Sequence, residues 1–101
     1  MPHTAMKNDH GSQVVEVRTS RLDATVAPEL KHEILSSIDT TKSGTLIIDL
    51  GHVEFMDSSG VGALVSVRKQ LPENAQVELR NLSQFVRKVL MLTRMDRVFH
   101  F

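Results

Sequence analysis

An aspartate, two serines and a glycine follow one another at Asp57-Ser58-Ser59-Gly60, and Val61 and Gly62 come next. The run lies between an apolar stretch, Thr45 to Leu50, and one with helical character from about Ser58 to Leu71. Aspartate is favoured at a helix N-cap, because its carboxylate accepts from backbone N–H groups of the first turn. Ser58 and Ser59 then fall in that turn, near the positive end of the helix dipole. A hydroxyl placed there is exposed, stands beside a carboxylate and tolerates an added phosphate. That chemistry suits a switch. On position alone, a plain helix-start serine is an equally good reading of Ser58, since hydroxyl residues are common at helix starts. Asp57 reads as a cap that also orients the Ser58 hydroxyl. An exposed carboxylate has too low a pKa to deprotonate serine near neutral pH, so proton acceptance must come from a partner.

Other chemistries fare worse. The chain has no Gly-x-Ser-x-Gly elbow and no Walker-type phosphate loop. Asp57-Ser58 lacks a convincing histidine partner for a triad. Five histidines, His3, His10, His32, His52 and His100, show no i,i+4 pair and no carboxylate cluster of metal-ligand type. No metal, cofactor or catalytic role is therefore expected.

The elements that must position the Asp-Ser-Ser run can be taken in order. Met1 to Gly11 is polar, and reads as either a frayed tail or an edge strand around Thr4 to Asp9, the boundary falling near residue 12. His10-Gly11-Ser12 is then a hairpin turn. Val14 to Thr19 alternates as a half-buried strand. Ser20 to Thr25 is a loop, with Thr25 the expected cap of a helix that admits Pro28 in its first turn. Val26, Leu30, Ile34 and Ile38 form that helix's apolar stripe. Thr45 to Leu50 is nearly continuous in apolar character, as in a central strand buried on both faces. Gln76 to Arg80 alternates cleanly, so one sheet face should not be fully covered. Ser83 should cap a last helix reaching about Thr93, with Val86, Val89 and Leu90 buried. Val98-Phe99 ends as a short strand or packed tail. Strands alternating with helices predict an α/β fold with a mainly parallel sheet and right-handed crossovers.

Gly60 and Gly62 each cost about 1 kcal/mol relative to alanine inside a helix, so two in one turn need a reason. Close backbone approach is the usual one, either to the chain's own strand or to a partner. Val61, Ala63, Leu64, Val65 and Val67 cover more of this helix than one buried stripe needs. Exposed apolar surface, as at a binding site, is expected there.

The chain has 101 residues, 41% of them hydrophobic and 24% charged, which suits one small domain over 1–101. Lysine plus arginine and aspartate plus glutamate balance at 12 each, against a general nucleic-acid footprint. The excess of basic residues from Arg68 onward reads as solvated helix faces. The absence of cysteine suits a reducing compartment. Without a membrane-length apolar run or a signal-peptide core, a cytoplasmic location away from membranes is expected.

The segment Ile48-Asp49-Leu50 through Phe55-Met56-Asp57-Ser58-Ser59-Gly60-Val61-Gly62 resembles the signature of bacterial anti-sigma factor antagonists of the STAS domain family. Arg21-Leu22-Asp23-Ala24, Asn81-Leu82-Ser83 and Met95-Asp96-Arg97-Val98-Phe99 are similar to further family segments, so the likeness runs from about Val14 onward. It implies a STAS-type single domain: a small, mainly parallel mixed sheet with helices packed mainly on one side. It implies Ser58 as phosphoacceptor, with Ser59 a helix-start hydroxyl at the partner surface. It implies a partner-binding set of Asp23, Asp57, Ser58, Ser59, Gly60, Val61 and Gly62, although a turn-forming Asp23 is an equal reading. The implied partners are a serine-kinase anti-sigma factor, which itself binds ATP and magnesium, and a serine phosphatase. A STAS regulatory subunit of a membrane transporter, or a partner-switching regulator of secretion or signalling, are the alternatives. Many relatives have glycine where Ser20 stands, so the local turn differs here.

Overall fold

The computed structural model describes residues 3–9 and 11–101, with side chains of 8 and 9 excepted. Strand β1 (Thr4–Asp9) runs antiparallel to β2 (Ser12–Val17). An edge strand, not a frayed tail, therefore opens the sheet. Gly11 has φ +85°, the left-handed backbone a tight hairpin turn needs; His10 of the expected turn lies outside the described residues.

Strand β4 (Thr45–Asp49) pairs in parallel with β2 on one side and with β6 (Gln76–Arg80) on the other, giving the order β1-β2-β4-β6. Helices α1 (Ala27–Ser37) and α2 (Ser58–Lys69) are the crossovers that parallel pairing requires. Helix α3 (Gln84–Leu92) and a 3₁₀ turn (Met95–Arg97) follow β6. Two short strands, β3 (Arg21–Leu22), inside the segment that the sequence reads as a loop, and β5 (Phe55–Met56), pair in parallel as a separate ribbon. They are too short for alternation to reveal them.

The register decides which face is core. Val15 pairs with Ile48 and Ile48 with Leu79; Leu46 pairs with Val77. All are buried in one cluster with Val17, Leu30, Ile34, Leu64, Val67, Val86 and Leu90 from the same sheet face and the three helices. The opposite face carries Glu16, Asp49, Glu78 and Arg80, with the pair Val14 and Ile47 sunk among them. Helices thus pack on one side, and β4 is buried on both faces although only one face has helices above it.

One boundary differs from expectation. Val26, not Thr25, is the N-cap of α1, with no side-chain cap bond. The Thr25 hydroxyl instead donates to Asp23 Oδ1 at 2.6 Å, and the Asp23 carbonyl accepts from Val26 and Ala27 N–H groups. A local Asx-type turn has outcompeted the cap. At the chain's end Phe99 is buried and His100 makes one parallel bridge to Glu78, closing the outer edge of β6. Ser83 does cap α3, accepting from Val86 N–H at 3.1 Å, whereas Val89 is only half-buried.

The two faces of β4 should respond differently to truncation. Ile48→Ala empties a closed core and should cost about 2–5 kcal/mol. Ile47→Ala, on the face without helices, should cost clearly less, because water and neighbouring side chains can fill the space. Urea unfolding of both variants checks the order; equal losses would mean that the face is closed in solution.

Candidate functional site

The site is built where the short ribbon hands the chain to α2. Leu22 and Met56 are paired and almost fully buried, which fixes the two strand ends side by side. One residue further on each strand stand Asp23 and Asp57, and the Asp57 N–H donates to the Leu22 carbonyl at 3.3 Å. Asp57 has extended backbone (φ −115°, ψ −173°), as an N-cap requires, and its Oδ1 accepts from the N–H groups of Ser59 at 2.9 Å and Gly60 at 3.2 Å. Its carbonyl accepts from Val61 and starts the helix.

This geometry corrects one expectation. Asp57 is the cap, but it does not orient the Ser58 hydroxyl, which makes no hydrogen bond among the described residues. The carboxylate faces the backbone of the first turn, and Ser58 points to solvent as an exposed residue beside it. Ser59 is half-buried, Gly60 and Val61 are buried, and Gly62 is exposed.

The two glycines separate. A Cβ on Gly60 would run into the Leu22 carbonyl oxygen and Leu22 Cγ, so the close approach it permits is to the chain's own strand β3. A Cβ on Gly62 would meet nothing within 4 Å. Gly62 belongs to the surface and Gly60 to the packing beneath it.

The apolar residues of α2 also fall differently from expectation. Val61, Ala63, Leu64 and Val67 are buried, and only Val65 is half-exposed, because α2 lies against α1 as well as the sheet. The exposed apolar side chains lie further along the chain: Phe85 (47%), Met91 (48%), Leu92 (74%) and Val98 (36%). Phe85 stacks on Phe55 with ring centroids 5.5 Å apart, and the Arg21 guanidinium sits 4.3 Å over the Phe55 ring. Residues from β3, β5 and α3 thus form one stack, and Phe55 stands two positions before Asp57. Sequence reading missed Phe85. Its signal was position: it falls off the Val86–Leu90 stripe of α3 and so had no place in the core.

Arg21 also holds Asp23, Nε to Oδ2 at 3.2 Å. The Thr25 hydroxyl first, then Arg21, keep the Asp23 carboxyl below its usual range. Asp23 therefore stays ionised to lower pH than an unpartnered aspartate does. Its contribution to stability is present above the unfolded-state pKa and is lost as pH falls through the lower folded one.

The model of the STAS domain matches residues 5–101. The chain belongs to the STAS domain family. A STAS-domain containing protein of Pseudomonas aeruginosa is 37% identical over 54 residues, a match spanning about half of each chain (52% of this one and 54% of that one). The crystal structure of an anti-sigma factor antagonist from Mycobacterium paratuberculosis shares 28% identity and superposes with TM-score 0.78 over 95% of this chain and 80% of that one. An anti-sigma-factor antagonist (STAS) domain protein from Planctomyces limnophilus has 24% identity and TM-score 0.88 over 99% and 88%. The STAS fold thus accounts for the mixed sheet and three helices. No helix among the described residues is long and apolar enough to cross a membrane.

The glycines give opposite predictions within one turn of the STAS helix α2. Gly60→Ala must displace Leu22 or shift β3, and overpacking of this kind costs about 1–3 kcal/mol. Gly62→Ala meets no neighbour and gains helix propensity, so it should stabilise by roughly 0.5–1 kcal/mol. Melting temperatures of the two variants decide, and a stable Gly60→Ala protein would show that β3 yields.

Proposed function

We propose that this STAS domain is an anti-sigma factor antagonist worked as a phospho-switch, with Ser58 the phosphoacceptor. Unphosphorylated, it binds a serine-kinase anti-sigma factor and so frees the sigma factor. The kinase, using its own bound ATP and magnesium, phosphorylates Ser58 and ends the association; a serine phosphatase restores it. The domain is substrate and binder rather than catalyst, and acts in the cytoplasm. The observation that carries this reading is the exposed Ser58 hydroxyl at the first position of α2, left unengaged while Asp57 turns its carboxylate onto the backbone.

On this reading, the local geometry bears on what a phosphate at Ser58 would meet. Phosphoserine adds roughly −1.5 to −2 charges near neutral pH. The helix dipole favours it. The N–H groups of Ser59 and Gly60 already belong to Asp57, so the phosphate gains fewer backbone donors than a bare helix start offers. Asp57 repels it across a short solvated distance. These opposed effects are small at an exposed site, and the domain keeps its shape. In the complex the phosphate loses its water against a surface complementary to a neutral hydroxyl, and there the cost is large.

The partner surface on this reading comprises Asp23, Asp57, Ser58, Ser59 and Gly62, with Gly60 and Val61 supporting it from beneath. The exposed Phe85, stacked against the base of the same loop, extends it. Aromatic side chains in such positions often anchor interfaces.

Leaving an unmatched charge in an interface costs about 2–5 kcal/mol, so Ser58→Asp and Ser58→Glu should weaken kinase binding about 30-fold or more. Their circular dichroism should match the parent. Ser58→Ala should bind but take up no labelled phosphate. Phosphate uptake by that variant would move the acceptor to Ser59, and full binding by the acidic variants would remove the switch.

A bulky charge at the open position, Gly62→Glu, should abolish kinase binding while leaving the melting temperature within a few degrees. Phe85→Ala should weaken binding by at least about 1 kcal/mol if the aromatic stack belongs to the interface. Calorimetric titration of the kinase with each variant measures both.

A further inference from the structure

A second cluster of side chains lies apart from the switch, where the start of β1 meets α1. His3 Nε2 is 3.1 Å from Glu29 Oε2 and 3.9 Å from Glu33 Oε2, and one donor atom from each of the three residues lies within 4.8 Å of the others. The backbone N–H of His3 also donates to Glu33 Oε1 at 2.6 Å. Glu29 and Glu33 are four residues apart on α1 and so share a face. His32, on the same face, lines a shallow groove with Pro28, Glu29 and Glu33.

An imidazole against one carboxylate is an ordinary surface ion pair, such as His52 makes with Glu16 at 3.5 Å. The His3 cluster differs in having a second carboxylate, Glu33, near the same ring nitrogen, because residues four apart on α1 share a face. A tetrahedral zinc ion with bonds of about 2.0–2.1 Å holds its ligand atoms roughly 3.3 Å apart. The two separations from His3, 3.1 Å and 3.9 Å, lie near that spacing and all three donors lie within 4.8 Å of one another, so side-chain rotations would bring them to one ion. Two carboxylates and a neutral imidazole carry two negative charges, which a divalent ion cancels. The imidazole favours zinc and its borderline neighbours over magnesium or calcium.

We propose that His3, Glu29 and Glu33 form a binding site for zinc or a similar borderline divalent ion, with water as the fourth ligand. The ion would tie the beginning of the edge strand to the first crossover helix. Metal binding and docking of β1 are then linked, and the ion stabilises the sheet at its one edge that the chain's end does not cover. The site shares no residue with the switch, and the proposal stands whether or not Ser58 is phosphorylated.

Calorimetric titration of the untagged full chain with zinc chloride tests it, alongside His3→Ala, Glu29→Gln and Glu33→Gln. One equivalent should bind. Loss of even an outer-shell partner of a metal costs 10–100-fold in affinity, so each ligand variant should bind at least about tenfold more weakly. His52→Ala, which removes the ordinary ion pair, should bind like the parent. Circular dichroism keeps misfolding from being read as ligand loss. Zinc should also slow amide exchange across Thr4 to Asp9 in the parent and not in His3→Ala, and excess magnesium should not compete. Absence of zinc binding to the parent, or undiminished binding by His3→Ala, would overturn the proposal.

Discussion

The carbonyl of Leu22 is the point on which the site depends. It accepts the Asp57 N–H, and the bare Cα of Gly60 packs against it where a side chain could not fit. The Leu22 side chain is wholly buried beneath. These contacts lock a ribbon of two residues per strand, too short to be stable alone. Once locked, the ribbon aims Asp57 at the first turn of α2 and leaves Ser58 outside. The helix start, the buried glycine and the exposed hydroxyl are therefore one structural unit.

Burial explains why the surface of the STAS domain lies where it does. Helix α2 spends its apolar residues on the sheet and on α1, so the residues it leaves fully exposed are Ser58, Gly62 and Lys69. The exposed apolar side chains lie on α3 and beyond it, at Phe85, Met91, Leu92 and Val98, and Phe85 stacks on Phe55 of β5, whose ring Arg21 covers. Arg21 bridges this stack to Asp23, so the charged and aromatic parts of the surface are mechanically joined. A partner docking on the Ser58 loop meets both.

The sheet divides its labour between faces. One face and three helices make the core; the other carries ion pairs along a strand, such as Glu78 with Arg80 two residues on in β6, whose carboxylate and guanidinium lie 2.8 Å apart. Exposed pairs of this kind contribute little each. The edges are treated differently: His100 exchanges backbone hydrogen bonds with Val77 and Leu79 along β6, while the β1 edge has no such cover among the described residues.

Much of this was legible from residue order alone. Continuous apolar character at Leu46-Ile47-Ile48 identified the central strand, the four-residue spacing of Leu30 and Ile34 identified α1, and Asp57 and Ser83 identified two helix starts. These signals are local, because hydrogen-bond capping and hydrophobic periodicity act over a few residues. The Asp-Ser-Ser-Gly run likewise carried its likeness to the STAS family in its own letters. Tertiary structure decided what depends on distant neighbours. It assigned Gly60 to packing and Gly62 to the surface, since only the position of Leu22 distinguishes them. It buried the apolar side of α2 by placing α1 beside it, and exposed Phe85 instead. It turned Asp57 away from the Ser58 hydroxyl, because backbone donors lie closer to the carboxylate. It carried His3 to Glu29 and Glu33 across 26 and 30 positions, a meeting created by hairpin and crossover together that no spacing in the sequence could reveal.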